Sequence, residues 1–315
     1  MENKMTTEKK RLDELDFLKC IMIVLMVAFH LVYFEELYPY AKRVVYTFHM
    51  PVLLIISGYL THIEKKPIQF LKGILWLFVP YVVMESGYIW MCSMLPVRDH
   101  VDNLNISLFF DKLILHPLGP FWYLHVLILC GLTYFLVFKY LPLKTISRCI
   151  LLLIIYSGFA YLGIVSLPKS LYFLAGAIIF QSRVAFLDVF RASFWSLIAL
   201  ALLIAHPENL RIDVIGGVLI VYLVMSFCLA LYPYIRGRVR NFMLFLGRNT
   251  MPIFIFSPIF TILCKSLVPY LAFDKTGLLF LVISLVVCIS GSLAIGWVMD
   301  KICVSKFFFG KKAIQ

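Results

Sequence analysis

Apolar residues fall in ten successive blocks, separated by short polar segments, along nearly the whole chain. Each block is roughly long enough to cross a hydrocarbon layer about 30 Å thick. Helices are expected, because an open strand edge in lipid leaves backbone groups unpaired and the alternating pattern of a barrel is absent. The pattern predicts an all-α, polytopic membrane protein with about ten transmembrane helices. The predicted spans are 17–34, 44–60, 70–94, 120–138, 149–165, 168–181, 187–205, 212–232, 249–268 and 277–299.

The composition excludes a soluble globular protein. Hydrophobic residues make up 62% of the chain and charged residues 15%, against about 45–50% and 25% in soluble domains. We expect one integral membrane domain, 17–303, between a cytoplasmic N-terminal segment, 1–16, and a cytoplasmic tail, 304–315. The first block lacks the small-residue site of a cleavable signal, so it is expected to remain as a span of a cell-membrane protein.

The positive charge is explained by membrane topology. Lys and Arg number 29 against 17 Asp and Glu, which gives a net charge of +12. With the N-terminus in the cytoplasm, most of the 29 cations lie on the cytoplasmic side of the predicted spans, so both termini are expected there. Nucleic acid is therefore not an expected partner. The eight cysteines show no paired spacing and are interpreted as small apolar fillers.

Four ionisable residues inside the blocks are the first candidates for function. His30, His49, Glu85 and His125 come from four different predicted spans and are all expected at similar depth in the outer half of the bilayer. A single histidine there is more often a hydrogen-bonded packing group, but four costly groups at one depth indicate a functional site. The His-x-x-x-His spacing of helical metal sites is absent, so no metal is expected.

A cation in the first span suggests what such a site binds. Lys19 and His30 are eleven residues apart, which places them on one face of a continuous helix, roughly 16 Å apart. This arrangement suits a long ligand with an anionic head at the cytoplasmic side and a reactive tip in the outer half, such as acyl coenzyme A. A lysine that snorkels to the membrane surface is the alternative interpretation of Lys19.

At this point the sequence resembles the membrane-bound acyltransferase 3 family, in its short form without an extra hydrolase-like domain. The first span resembles the family's pattern of a basic residue, ten others and a histidine, preceded here by Arg11 and Asp16. The second span contains the segment FHMPVLLIISGYL, which is similar to a family segment that begins with Phe-His-Met-Pro and ends in Ser-Gly-Tyr. Leu75 and Trp76 stand where the family usually has arginines. Weaker similarities are VPY from Val79, PFWYL from Pro120, YFLAGAIIF around Gly176 and GRNTMPIFIF from Gly247.

The resemblance implies transfer of an acyl group, usually acetyl, from cytoplasmic acetyl-coenzyme A to a hydroxyl of a cell-envelope glycan or lipid-linked saccharide at the outer face. We expect His30 to be the general base, since the pKa of imidazole lies near operating pH. Glu85 or His49 is expected to orient it, and His49 or His125 to donate to the developing oxyanion. Direct transfer is favoured over a covalent acyl-enzyme.

The remaining site residues are assigned by charge and by aromatic character. Four cations are the candidates for binding the donor phosphates, with Asp16 as their supporting partner, and three residues at the start of the fourth span are the candidates for binding the acceptor. The phosphate candidates are Lys19, Arg11, Lys72 and Arg248, and the acceptor candidates are His125, Trp122 and Tyr123. An interfacial aromatic belt is the alternative interpretation of the two aromatic residues.

A second class of function also fits the buried ionisable residues. A transporter or flippase for a lipid-linked saccharide would use the His/Glu set as a proton relay. Transporters of this kind often contain internal repeats, and the chain shows none clearly. The sequence therefore favours the enzyme, while it leaves the acceptor, the length of the acyl group and the oligomeric state open.

Overall fold

The computed structural model describes residues 11–94 and 100–315. The first ten residues of the predicted segment 1–16 lie outside the described residues. Within the described ranges every regular element is a helix and no strand occurs. The all-α prediction is confirmed for this part of the chain.

Sixteen α-helices follow one another along the described chain. Four short 3₁₀ helices join them, of which Gly119–Phe121 directly precedes α6. The α-helices are α1 (Asp13–Ala28), α2 (Val32–Leu37), α3 (Pro39–Leu60), α4 (Pro67–Met94), α5 (Ile106–Ile114), α6 (Trp122–Tyr140), α7 (Thr145–Tyr161), α8 (Leu167–Gln181), α9 (Phe186–Val189), α10 (Ser196–Ile204), α11 (Ile215–Leu231), α12 (Gly237–Arg248), α13 (Thr250–Leu263), α14 (Val268–Leu271), α15 (Leu278–Lys301) and α16 (Ser305–Phe308).

Six helical stretches among the described residues are long and apolar enough to cross a membrane. Two shorter apolar helices, α7 and α8, accompany them. The protein is thus a helical membrane protein, whereas the count of ten spans remains a prediction. The six stretches are Pro39–Leu60, Pro67–Met94, Gly119–Tyr140, Ile215–Tyr234, Thr250–Leu271 and Leu278–Lys301.

Two predicted spans differ from the observed helices. The block 17–34 is interrupted, because α1 ends at Ala28 and α2 begins only at Val32. The block 187–205 contains one helix of nine residues, α10, after the short α9. The first break contains one polar residue, His30, and the second contains Arg191, and neither residue alone predicts that a helix ends there.

Glycines allow the central helices to approach one another closely. A Cβ atom at Gly58 of α3 would collide with the carbonyl of Phe173, and one at Gly176 of α8 would collide with the carbonyl of Ile55. Gly247 of α12 meets the backbone of α1 in the same way. Small residues at helix contacts are typical of membrane bundles, where dispersion replaces the hydrophobic effect. These contacts hold α1, α3, α8 and α12 at fixed separations.

The first and last described residues lie at the same end of the bundle. Arg248 at the end of α12 pairs with Asp13 at the start of α1, at 3.1 Å. The next residue, Asn249, exchanges two hydrogen bonds with the backbone of Gln315. We call this the Asp16 end, after the buried carboxylate at its centre. That it faces the cytoplasm remains a prediction.

Candidate active site

His30 lies in the break between α1 and α2. Its Nδ1 donates to the carbonyl of Met26 at 2.6 Å, one of the last carbonyls of α1, which lack a partner within the helix. A carbonyl only accepts, so Nδ1 carries the ring proton and Nε2 of the neutral ring carries the lone pair. The expectation of one continuous helix through Lys19 and His30 is wrong, because the helix ends at Ala28.

The second histidine, His49, lies in α3 and is brought close to the first. Its Nδ1 donates to the carbonyl of Val45 at 2.7 Å, and its Nε2 is buried without a hydrogen-bond partner among the described residues. The ring of Tyr46 lies between the two imidazoles, with its centroid 6.0 Å from that of His30 and 5.2 Å from that of His49. The structure therefore groups two of the four predicted residues.

Tyr46 and Glu35 form a polar network beside His30 that the sequence analysis missed. The Tyr46 hydroxyl is 2.9 Å from the carbonyl of Phe29 and 3.3 Å from Oε2 of Glu35. Glu35 is buried in α2 and pairs with Lys42 at 2.8 Å. The only available signal was a carboxylate just past the first apolar block, followed by a lysine seven residues later.

Two cavities meet at His30. The smaller, of about 140 Å³, is also lined by His49, Trp122 and Lys169. The larger, of about 540 Å³, is lined by polar and aromatic groups that include Glu35 and Tyr88. Residues that line both cavities are Met26, His30, Tyr46 and Pro120. The imidazole thus forms part of a wall that two adjoining spaces share.

The predicted acceptor residues have different surroundings. Trp122 lines the smaller cavity, and Nζ of Lys169 lies 3.8 Å from the centroid of its ring, a cation–π contact. Tyr123 is partly buried against the core, and its hydroxyl is 2.9 Å from Oγ of Ser57. Lys169, which the sequence analysis did not single out, therefore brings a positive charge to the cavity of the two histidines.

Glu85 contacts the loop that leads into α6, and His125 contacts the last residue of the preceding helix, α5. Oε1 of the fully buried Glu85 accepts from the backbone N–H of Leu118 at 2.6 Å. Nε2 of His125 donates to the carbonyl of Ile114 at 2.8 Å. These bonds position the turn that carries Pro120 to the cavities. A backbone carbonyl thus holds Nδ1 of His30, and neither Glu85 nor His125 lines either of the two cavities.

At the other end of α1, three of the predicted phosphate-binding cations surround one carboxylate. The side chain of Asp16 is 3% exposed and pairs with Arg11 at 2.6 Å, Lys19 at 2.7 Å and Arg248 at 3.5 Å. The fourth candidate, Lys72, is exposed on α4. No ion pair joins it to this group within the described part of the chain. Asp16 holds the three cations together, and its role as a supporting partner in donor binding remains a prediction.

Comparison with known proteins identifies the family. The model of the acyltransferase 3 family, described as an acyltransferase domain, matches residues 12–297, a range that contains both histidines and Asp16. No curated protein and no solved structure matches the chain. The matched range and the apolar helices together make the protein a membrane acyltransferase. The resemblance noted in the sequence is confirmed, and the chain belongs to the acyltransferase 3 family.

Proposed function

We propose that the protein is an O-acyltransferase of the cytoplasmic membrane that uses acetyl-coenzyme A, or another short acyl-coenzyme A, as donor. The acceptor is a hydroxyl of a cell-envelope carbohydrate at the outer side. The observation that carries the proposal is the place of His30 on the wall shared by two cavities, with its Nδ1 fixed on the Met26 carbonyl. The family match to an acyltransferase domain favours this function over the transporter.

His30 is the general base of the proposed reaction. Nε2 takes the proton of the acceptor hydroxyl while the hydroxyl oxygen attacks the thioester carbonyl. The carbon–sulfur bond then breaks, and the imidazolium returns the proton to the departing thiolate. Between these steps the imidazolium of His30 carries a positive charge, and the C-terminal end of α1, where the helix dipole is negative, stabilises it.

Lys169 is the group best suited to stabilise the oxyanion. It is the cation that lines the cavity of His30 and His49, and a fixed positive charge in a water-poor site stabilises a developing negative charge strongly. His49 fits the oxyanion role less well in its neutral form, because its ring proton is on Nδ1 and is used by Val45. Its Nε2 is then an acceptor, suited to a second hydroxyl of the acceptor sugar.

The two substrates approach from different directions. The phosphates of the donor bind to Lys19, Arg11 and Arg248 at the Asp16 end, and α1 leads from there toward His30. Lys19 and Ala28 are nine residues apart, or roughly 14 Å along the helix axis, a distance for the extended pantetheine arm to cover. The acceptor occupies the larger cavity, whose carboxylates and tyrosines suit sugar hydroxyls and sugar faces.

The test is release of free thiol from acetyl-coenzyme A by the purified protein in detergent with a panel of envelope carbohydrates. We expect acceptor-dependent release by the wild type and by His206→Gln, a control at an exposed histidine remote from both cavities. His30→Gln is expected to release thiol at least about 10²-fold more slowly. Absence of thiol release and of coenzyme A binding by the wild type would contradict the proposal.

A further inference from the structure

The last six residues, 310–315, which we call the C-terminal segment, are bound to the Asp16 end by side chains of two helices. The carboxylate of Asp300 in α15 accepts from the backbone N–H groups of Ala313 at 2.7 Å and Ile314 at 3.0 Å. The fully buried Asn249 accepts from the N–H of Gln315 at 2.8 Å and donates to its carbonyl at 3.1 Å. The segment is therefore part of the folded bundle, although the family match ends at residue 297.

A glycine brings the C-terminal segment onto α4. Gly310 has a φ of +70°, and a Cβ atom there would collide with the indole ring of Trp76. Only glycine fits this left-handed turn without strain. The chain thus runs from Trp76 on α4 toward Asn249 at the start of α13, across the end of the bundle.

This path leads along the cations that surround Asp16. Asn249 follows Arg248 directly, and Arg248 pairs with Asp16, which also holds Lys19. Lys311 lies on this path, between Gly310, which contacts Trp76, and the residues bound by Asp300 and Asn249. Its pKa lies below the usual value, first because it is partly desolvated and then because of the positive charges of Arg11, Lys19 and Lys65. The segment brings one more positive charge to a region where cations already outnumber carboxylates.

Cations that approach one another at a folded end repel, so their convergence favours an anionic ligand that neutralises them. We propose that Lys311 of the C-terminal segment binds phosphate groups of the donor beside Lys19 and Arg11. This inference rests on the proposed function and extends its donor site to a part of the chain outside the family match. The ligand class is a nucleotide that carries several phosphates.

The experiment compares binding of coenzyme A and of inorganic pyrophosphate to the purified full chain by titration calorimetry. Lys311→Ala is expected to weaken both about tenfold, the effect of one lost charge-assisted contact. Lys306→Ala, a control that removes an equal charge from the exposed α16, is expected to bind as the wild type does. Asp300→Asn, which weakens the anchoring of the segment but keeps Lys311, is expected to weaken both ligands less.

The outcomes separate this inference from the proposed function. If the wild type binds coenzyme A and Lys311→Ala binds it equally well, Lys311 is not part of the site, whereas the donor assignment stands. If pyrophosphate binds in a Lys311-dependent way and coenzyme A does not bind, the phosphate site stands and the donor assignment fails. If neither ligand binds to the wild type, both are overturned.

Steady-state kinetics give an independent readout. Loss of a phosphate contact distant from the reacting atoms removes binding that is equal in the ground state and the transition state, so KM for the acyl donor rises and kcat is kept. Lys311→Ala is expected to raise KM about tenfold with acetyl-coenzyme A and to leave KM unchanged with acetyl-pantetheine, which has no phosphate. An equal change with both donors would overturn the assignment.

Discussion

The two ends of α1 hold their functional groups by opposite means. At the Asp16 end, ionised side chains pair with one another around a buried carboxylate. Beyond the other end, the imidazoles of His30 and His49 are fixed by backbone carbonyls of Met26 and Val45. Ion pairs maintain charge for binding a charged ligand, whereas a carbonyl fixes a neutral imidazole and leaves its second nitrogen to exchange protons. In the proposed function, one helix thus connects a binding end to a reacting end.

His30→Gln is the variant expected to distinguish most clearly between reaction at one end of α1 and donor binding at the other. The amide can still donate toward the Met26 carbonyl, but it cannot accept a proton from the acceptor. We expect kcat to fall at least 10²- to 10⁴-fold, the usual contribution of a general base, with coenzyme A affinity retained. Single-turnover thiol release and calorimetric binding measure the two quantities. A variant that keeps a tenth of the wild-type kcat would assign the base elsewhere.

Asp16→Ala is the corresponding change at the binding end. Removal of a buried carboxylate leaves Lys19, whose side chain is only 18% exposed, without compensation. Such losses cost about 3 kcal/mol or more of unfolding free energy. We expect a lower melting temperature in detergent and a higher KM for the donor. Asp213→Ala removes an exposed carboxylate and is the control. An unchanged melting temperature would show that the cations do not depend on Asp16.

Glycine substitutions test whether the central helices pack as closely as their glycine contacts indicate. Gly176→Ala places a methyl group against the carbonyl of Ile55, and overpacking of this kind costs about 1–3 kcal/mol. Gly158→Ala in α7 has open space around it and is expected to be neutral or to stabilise by up to about 1 kcal/mol. The melting temperature should therefore fall for Gly176→Ala and stay constant or rise for Gly158→Ala, and an equal fall in both variants would contradict this interpretation of the helix contacts.

Tyr46→Phe is the mildest change at the reacting end. It removes the hydroxyl that contacts the Phe29 carbonyl and Glu35 and keeps the ring between the two imidazoles. We expect kcat to fall about fivefold, since one hydrogen bond contributes roughly 1 kcal/mol, and the donor KM to stay constant. An increase in the donor KM alone would place Tyr46 in donor binding.

The sequence predicts the helical membrane fold because length and apolarity suffice for it. It also predicts that His30 and His49 belong together, because depth in the bilayer follows from position along a span. Depth is only one coordinate, however, and the direction in which a side chain points depends on helix packing. Glu85 and His125 were placed by depth with the histidines, but Glu85 bonds to the loop before α6 and His125 to the end of α5, and neither lines the cavities of His30.

The residues that the sequence analysis did not identify are brought to their places by contacts between parts of the chain that are far apart in sequence. The break after α1 carries no proline or glycine, so nothing local indicates that α2 packs beside α3 and brings Glu35 to Tyr46. Lys169 reaches Trp122 only because α8 packs closely against the central helices. The C-terminal segment lies some 300 positions from Lys19, and a polar tail of this kind is ordinarily assigned to solvent.

The shared wall at His30 determines the electrical balance of the proposed reaction. An alcohol becomes an ester on one side and a thioester becomes a thiol on the other, and all four species are uncharged at the reacting atoms. The acyl group passes outward formally as a cation, and one proton passes inward to the sulfur. The exchange moves no net charge, so the membrane potential, worth about 2.3 kcal/mol per charge at 100 mV, neither drives nor opposes it.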